Sequence, residues 1–167
     1  MSTKEIKMSP EKRERILRNL WILHDGRWFL KTVKEIGFDS AQKINMAVAK
    51  SFGRTEIKQI ITETNYQEIK NIEEFKTLVE TAGDLYFPEE HIYEIKILDK
   101  NSLLGHVLEC YVYKNVSKAG ITAIYQCAAK HRFESWLEAC GLEGEIITEK
   151  NAQNCNGTCK IIFKVKW

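Results

Sequence analysis

The chain predicts an α+β fold: a helical N-terminal half followed by a β-β-α-β-β unit with an antiparallel sheet. Three observations carry this. Up to about residue 85, apolar residues recur at intervals of three and four, the period of a helix with one buried face. At Tyr86-Phe87-Pro88 the period changes to strict alternation. The last nine residues alternate cleanly, with Cys159, Ile161, Phe163, Val165 and Trp167 on one face and Lys160, Lys164 and Lys166 on the other. At 167 residues the chain reads as a single domain over 1–167, helical over 1–85 and carrying the sheet and a long helix over 86–167.

The elements follow in order. Ser9-Pro10-Glu11 is a helix start: Ser caps, Pro suits the first helical position and Glu favours the positive end of the helix dipole. Ile16, Leu17, Leu20, Trp21, Trp28 and Phe29 continue it as one helix, or a pair around Gly26, to about Gly37. Asp39 is placed to cap a second helix over 40–51, with Ala41, Ile44, Ala47 and Val48 inward. Thr55 is placed to cap a third with Ile57, Ile60 and Ile61, and Asn71-Ile72-Glu73-Glu74 opens a fourth with Phe75, Leu78 and Val79. A hairpin follows, 91–97 and 106–113 around Asp99-Lys100-Asn101-Ser102. A long helix over 119–140 stops at Gly141, and strands are expected at 145–149 and 159–167.

Composition excludes several classes. Hydrophobic residues make up 44%, charged residues 29%, and the net charge is +2. A charge this small, with both signs interleaved, does not point to nucleic acid. No stretch approaches the roughly 20 apolar residues of a membrane helix, so no membrane partner is expected. Met1–Met8 is polar and lacks the apolar core of a signal peptide, which predicts a cytoplasmic protein.

All five cysteines lie at or after position 110. Cys155-Asn156-Gly157-Thr158-Cys159 is a C-x3-C turn, and in a reducing compartment such a cluster reads as metal ligands before disulfides. Cys110 is expected on the core face of its strand with Leu108 and Val112, and Cys127 on the buried stripe of the long helix. Cys155 and Cys159 stand at the entrance of the last strand. Four thiolates converging there suit zinc, so Cys110, Cys127, Cys155 and Cys159 are the expected metal ligands and Cys140 is the leftover. His131 and His106 are substitute ligands, although His106 and Cys110 would stand roughly 13 Å apart along one strand and cannot share an ion. The competing reading is that each cysteine is a small buried hydrophobe.

Leu23-His24-Asp25-Gly26-Arg27-Trp28-Phe29 is the other unusual segment. Leu17, Leu20, Trp21, His24 and Trp28 share one helical stripe, which turns His24 inward. His24, Asp25, Trp28 and Phe29 are therefore candidate ligand-binding residues, with Trp21, Tyr93 and Phe133 as further lining. His24 and Asp25 are also candidates for acid–base work. The plainer reading is aromatic packing around a satisfied histidine, because adjacent helical residues point about 100° apart.

The hairpin from His91, the helix ending Trp136-Leu137-Glu138-Ala139-Cys140-Gly141, the Cys155–Cys159 loop and the terminal strand with Ile161 and Phe163 together resemble the 4-vinyl reductase domain family. Domains of that family are similar to small-molecule binding modules found beside bacterial regulators and in pigment synthesis. The segment Asn19–Phe29 resembles a group of prokaryotic proteins that join a His-Asp-Gly-x-Trp-Phe helix to a cysteine-rich end. Together these imply a stand-alone archaeal member. The family name implies vinyl reduction, but the chain holds no Gly-rich nucleotide loop for a nicotinamide or flavin, so that activity is not carried over.

The expected function is a zinc-containing domain that binds a small hydrophobic ligand. The alternative is a metal-dependent or His/Asp-dependent enzyme such as a hydrolase or reductase. A four-cysteine site leaves no open coordination position and argues against metal catalysis. A homodimer is expected from the apolar content of the helical half and the commonness of two-fold pairing.

Overall fold

The computed structural model describes residues 7–66, 68–149 and 155–167. Most of the polar Met1–Met8 segment lies outside the described residues. Three helices come first: α1 (Pro10–Ile36), α2 (Phe38–Thr64) and α3 (Ile72–Tyr86). Then follow β1 (Ile92–Asp99), β2 (Ser102–Glu109), α4 (Tyr111–Lys118), α5 (Ala129–Ala139), β3 (Glu143–Thr148) and β4 (Cys159–Lys166). The four strands form one antiparallel sheet in the order β1-β2-β4-β3. The α+β class and the helical half before an antiparallel sheet are as the sequence predicts.

Caps explain most starts. Ser9 Oγ accepts from Lys12 N, with Pro10 in the first position of α1. Asn71 Oδ1 accepts from Glu74 N at 2.9 Å, and Glu74 reaches back to Lys70 N at 2.8 Å. The two expected helices on either side of Gly53 are one, because Thr55 caps nothing; its hydroxyl donates to the Ser51 carbonyl inside α2. Asp39 likewise lies inside α2, which starts directly after Gly37.

The largest departure is at the expected long helix. Strand β2 stops at Glu109, and Cys110 caps a new helix by accepting from Tyr113 N at 3.4 Å. This helix, α4, ends at Lys118, and Gly120 follows with φ +70°. A left-handed residue there turns the chain out of the helix, and α5 begins only at Ala129. The C-terminal unit is therefore β-β-α-α-β-β.

One face of the sheet is the core. Leu103, Val107, Ile146, Ile161, Phe163 and Val165 meet Phe75, Leu78 and Val79 of α3 and Phe133, Trp136 and Leu137 of α5. Phe163 is central, with ring centroids 5.7 Å from Phe75 and 5.3 Å from Phe133. The opposite face carries exposed ion pairs, among them Glu94–Lys96 and Lys164–Glu145.

Helix α2 is fastened to α5 by a buried carboxylate. Glu56 is 1% exposed. Its carboxylate accepts from Arg132 Nε at 2.8 Å, from Arg132 Nη2, and from Trp136 Nε1 at 2.9 Å. The Arg132 guanidinium also lies over the Phe87 ring, 5.1 Å from its centroid. Close approach is possible because Gly53 has no side chain; a Cβ there would stand 2.6 Å from the Arg132 carbonyl oxygen.

Glu56→Ala leaves the Arg132 cation and the Trp136 indole N–H without their acceptor, and the expected loss is about 3–5 kcal/mol in denaturant unfolding. Gly53→Ala should also destabilise, by roughly 1–3 kcal/mol. An exposed helical glycine would instead gain about 1 kcal/mol on the same change, so the sign of the shift in the unfolding midpoint tests the contact.

Candidate functional site

A cavity of about 230 Å³ opens between α1, α2, α4 and the segment after α4. Its walls are mostly aliphatic and aromatic: Ile22, Leu23, Phe29 and Leu30 of α1, Val112, Val116 and Ala119 from α4 and its end, then Ile121 and Tyr125. Asp25, Arg27, Asn45, Tyr111 and Asn115 supply polar atoms. The spacing on α4 builds one wall, since Val112, Asn115, Val116 and Ala119 lie one turn apart on one face. No residue of α4 is buried, and Val112 is 40% exposed.

Two contacts hold the walls. Cys110 N donates to the Gly157 carbonyl at 2.9 Å, which ties the start of α4 to the loop before β4. Gly157 has φ +90°, and the Tyr113 ring lies 2.9 Å from where its Cβ would be. On the other side Gln42 of α2 donates to the Gln126 carbonyl at 2.8 Å. The Phe29 ring meets Tyr125 edge-on at 5.7 Å and Phe38 edge-on at 6.3 Å.

The polar groups are biased by their surroundings. Burial raises the Asp25 carboxyl above the ordinary range, against the opposing pull of Arg132 and His24. Burial also raises the Tyr125 phenol, with the negative charges of Cys127, Asp25 and Cys110 adding to it, while Asn45 hydrogen-bonds the hydroxyl. The neutral phenol is therefore the resident form at the cavity wall.

Of the four residues expected to bind ligand, Asp25 and Phe29 line the cavity. His24 and Trp28 are not among its walls. Trp28 is 62% exposed, and the His24 ring stacks on Trp21 with centroids 6.2 Å apart. The stripe expected to face inward is mostly exposed: its Trp21 stacks on Phe52 of α2 at 5.4 Å, while Ile22 and Phe29 take the more buried side of α1. Among the described residues no hydrogen bond joins His24 to Asp25, so they do not form a dyad. Tyr93 and Phe133 belong to the sheet side: Tyr93 OH donates to Asp84 and Phe133 is in the core.

The expected zinc site is corrected. Among the described residues, no group of three or more His, Cys, Asp or Glu side chains is arranged to hold a metal ion. The strand expected to carry Cys110 ends at Glu109 and the long helix expected to carry Cys127 does not form, although Cys159 does open the last strand as expected. Cys110 is a helix cap, Cys127 sits in the segment between α4 and α5, and Cys159 lies opposite Val107 in the ladder between β2 and β4. The thiols of Cys110 and Cys127 do feel each other and Cys155, but burial is the main influence and raises both, Cys127 to about 11. Cys127 as a residue is exposed, yet protein atoms crowd its sulfur. Cys140, the expected leftover, is pushed up to about 12 by burial.

The residues that sequence reasoning missed include Ile22, Leu30, Asn45, Tyr111, Val112, Asn115, Val116, Ala119, Ile121 and Tyr125. The signal was present in Tyr111-Val112 followed by Val116 and Ala119, a helical period ending at Gly120. No protein-family model matches the chain, and no curated protein matches it.

Beside the cavity, His91 supplies a pH-dependent feature. Its Nδ1 accepts from Tyr111 N at 3.3 Å, and burial, with Arg132 nearby, lowers its pKa to about 4. The unfolded chain takes up a proton below about pH 6.5 whereas the folded one resists until about 4. This contribution is complete above pH 6.5 and is lost as pH falls towards 4. It should amount to at most about 3 kcal/mol. Unfolding curves at pH 7 and pH 4.5 should show the loss, and His91→Gln should shrink the difference between them.

Proposed function

We propose that the protein binds a small, mostly apolar molecule in the cavity between α1, α2, α4 and Tyr125. The observation that carries this reading is the face of α4: Val112, Val116 and Ala119 line the cavity, and no residue of α4 is buried. Leaving such a face without a partner costs the apolar burial that would otherwise stabilise it. A ligand restores that burial. At about 230 Å³ the space suits a molecule on the order of ten non-hydrogen atoms, by scaling from a cavity of about 150 Å³ that takes benzene. Asp25, Asn45 and Asn115 provide the few polar atoms that would orient it.

The resemblance to the 4-vinyl reductase domain family supports the same reading, since its members are similar to small-molecule binding modules. A cytoplasmic setting is part of the proposal: Cys110, Cys127, Cys140 and Cys155 carry free thiols, which fits a reducing compartment. Among the described residues no helix is long and apolar enough to cross a membrane.

Indole and 4-methylphenol are suitable probes of this volume, followed by calorimetric titration. Saturable binding is expected, and Val116→Trp, which fills the cavity, should weaken it at least tenfold while the unfolding temperature is kept or raised. Phe29→Ala should weaken binding and lower stability together. Absence of saturable binding of either probe, combined with no small molecule extracted from the purified protein, would overturn the reading.

A further inference from the structure

Helix α1 is 27 residues long, about 40 Å, and none of its residues is buried. Leu17, Leu20, Trp21 and Trp28 are 66%, 56%, 51% and 62% exposed. On α2, Ile44 and Val48 are 43% and 47% exposed. Trp21 stacks on Phe52, one turn beyond Val48, which sets the α1 stripe alongside α2. Isolated exposed apolar residues are ordinary, but a run of large ones along a two-helix layer marks an interaction surface.

The spacing of the run is specific. Glu14, Leu17, Trp21, His24, Trp28 and Lys31 are separated by three, four, three, four and three residues, the a/d pattern of a helix pair. We infer that α1 pairs with α1 of a second copy, antiparallel, about a two-fold axis between Ile22 and Leu23. In that register Trp21 meets the second copy's His24, and Leu17 meets its Trp28. Glu14 meets Lys31 at both ends of the seam. One step further out, Glu11 stands opposite Lys34.

Charge complementarity chooses this arrangement. A parallel pair would set Glu14 against Glu14 and Lys31 against Lys31. Lys31 and Lys34 have no ion-pair partner within the chain among the described residues, and Glu14, although paired with Arg18, is 58% exposed. Area is also sufficient. Leu17, Leu20, Trp21 and Trp28, each more than half exposed, offer on the order of 500 Å² per chain. The stems of Arg13, Arg27 and Lys31 bring this towards the ~800 Å² per partner of a standard interface. The contact is isologous, so it closes as a dimer and does not propagate.

The experiment is light scattering and sedimentation of the whole chain at micromolar concentration. The wild type is expected to be a dimer. Glu14→Lys and Lys31→Glu should each raise the dimer dissociation constant at least tenfold, and the double exchange in one chain should return it to near the wild-type value. Trp28→Glu should give a monomer with an unchanged far-UV dichroism spectrum and unfolding temperature at low concentration. A monomeric wild type would overturn the inference, including one that instead sediments with anionic lipid vesicles. So would a dimer indifferent to Glu14→Lys and Trp28→Glu, or a double exchange no better than the single changes.

Discussion

The buried Glu56 carboxylate organises this molecule. Its acceptors are taken up by Arg132 and Trp136 of α5, so α2 is held to the helix that lies directly on the sheet. A carboxylate 1% exposed is tolerable only with such partners, since an unpaired one would carry a desolvation cost of several kcal/mol. The pairing also fixes register. Gly53 must sit one turn before Glu56 for α5 to approach, and Phe87 must follow α3 so that Arg132 has a ring to lie on. Everything N-terminal to the sheet takes its place from this junction: α1 reaches the rest of the chain mainly by leaning on α2.

That dependence explains the cavity. With α2 pinned to α5 and α4 pinned to the Gly157 loop, the space between them is bridged only by α1 and by the segment holding Tyr125. Phe29 and Tyr125 line one side of it and meet edge-on, with Phe38 packed edge-on behind Phe29. Cys110, Cys140 and Cys159 pack against the core, which fits the plainer reading of small apolar groups.

Much was legible in the chain itself. The change from helical period to alternation at Tyr86-Phe87-Pro88 located the boundary between the two halves, and the caps at Ser9 and Asn71 located two helix starts. The inward set Ile161, Phe163 and Val165 of β4 was readable because a strand's period of two leaves only one way to bury them. Misreadings came where local signals competed. Thr55 looked like a cap but bonds back within α2, since a threonine hydroxyl serves either role. The strand expected to run to Tyr113 gives way to α4 because Cys110 is not a conventional capping residue, and the helix expected over 119–140 is shortened because the chain turns out at Gly120 and α5 begins only at Ala129.

Sequence alone therefore determined the class, the order of the two halves, and which residues of α3 and of the terminal strand are apolar on one face. Tertiary structure decided which apolar faces are covered. Periodicity reports that a helix has an apolar stripe; it carries no information about which surface, if any, meets it. Leu17, Trp21 and Trp28 read as core by that rule and are mostly exposed, while Ile22 and Phe29 take the more buried side of α1. Val112 reads as strand interior and instead lines a cavity on α4 together with Val116, because the chain leaves the sheet at Cys110. These outcomes depend on contacts between residues some 80 positions apart in the chain, such as Glu56 with Trp136 and Gln42 with Gln126, which no local pattern encodes.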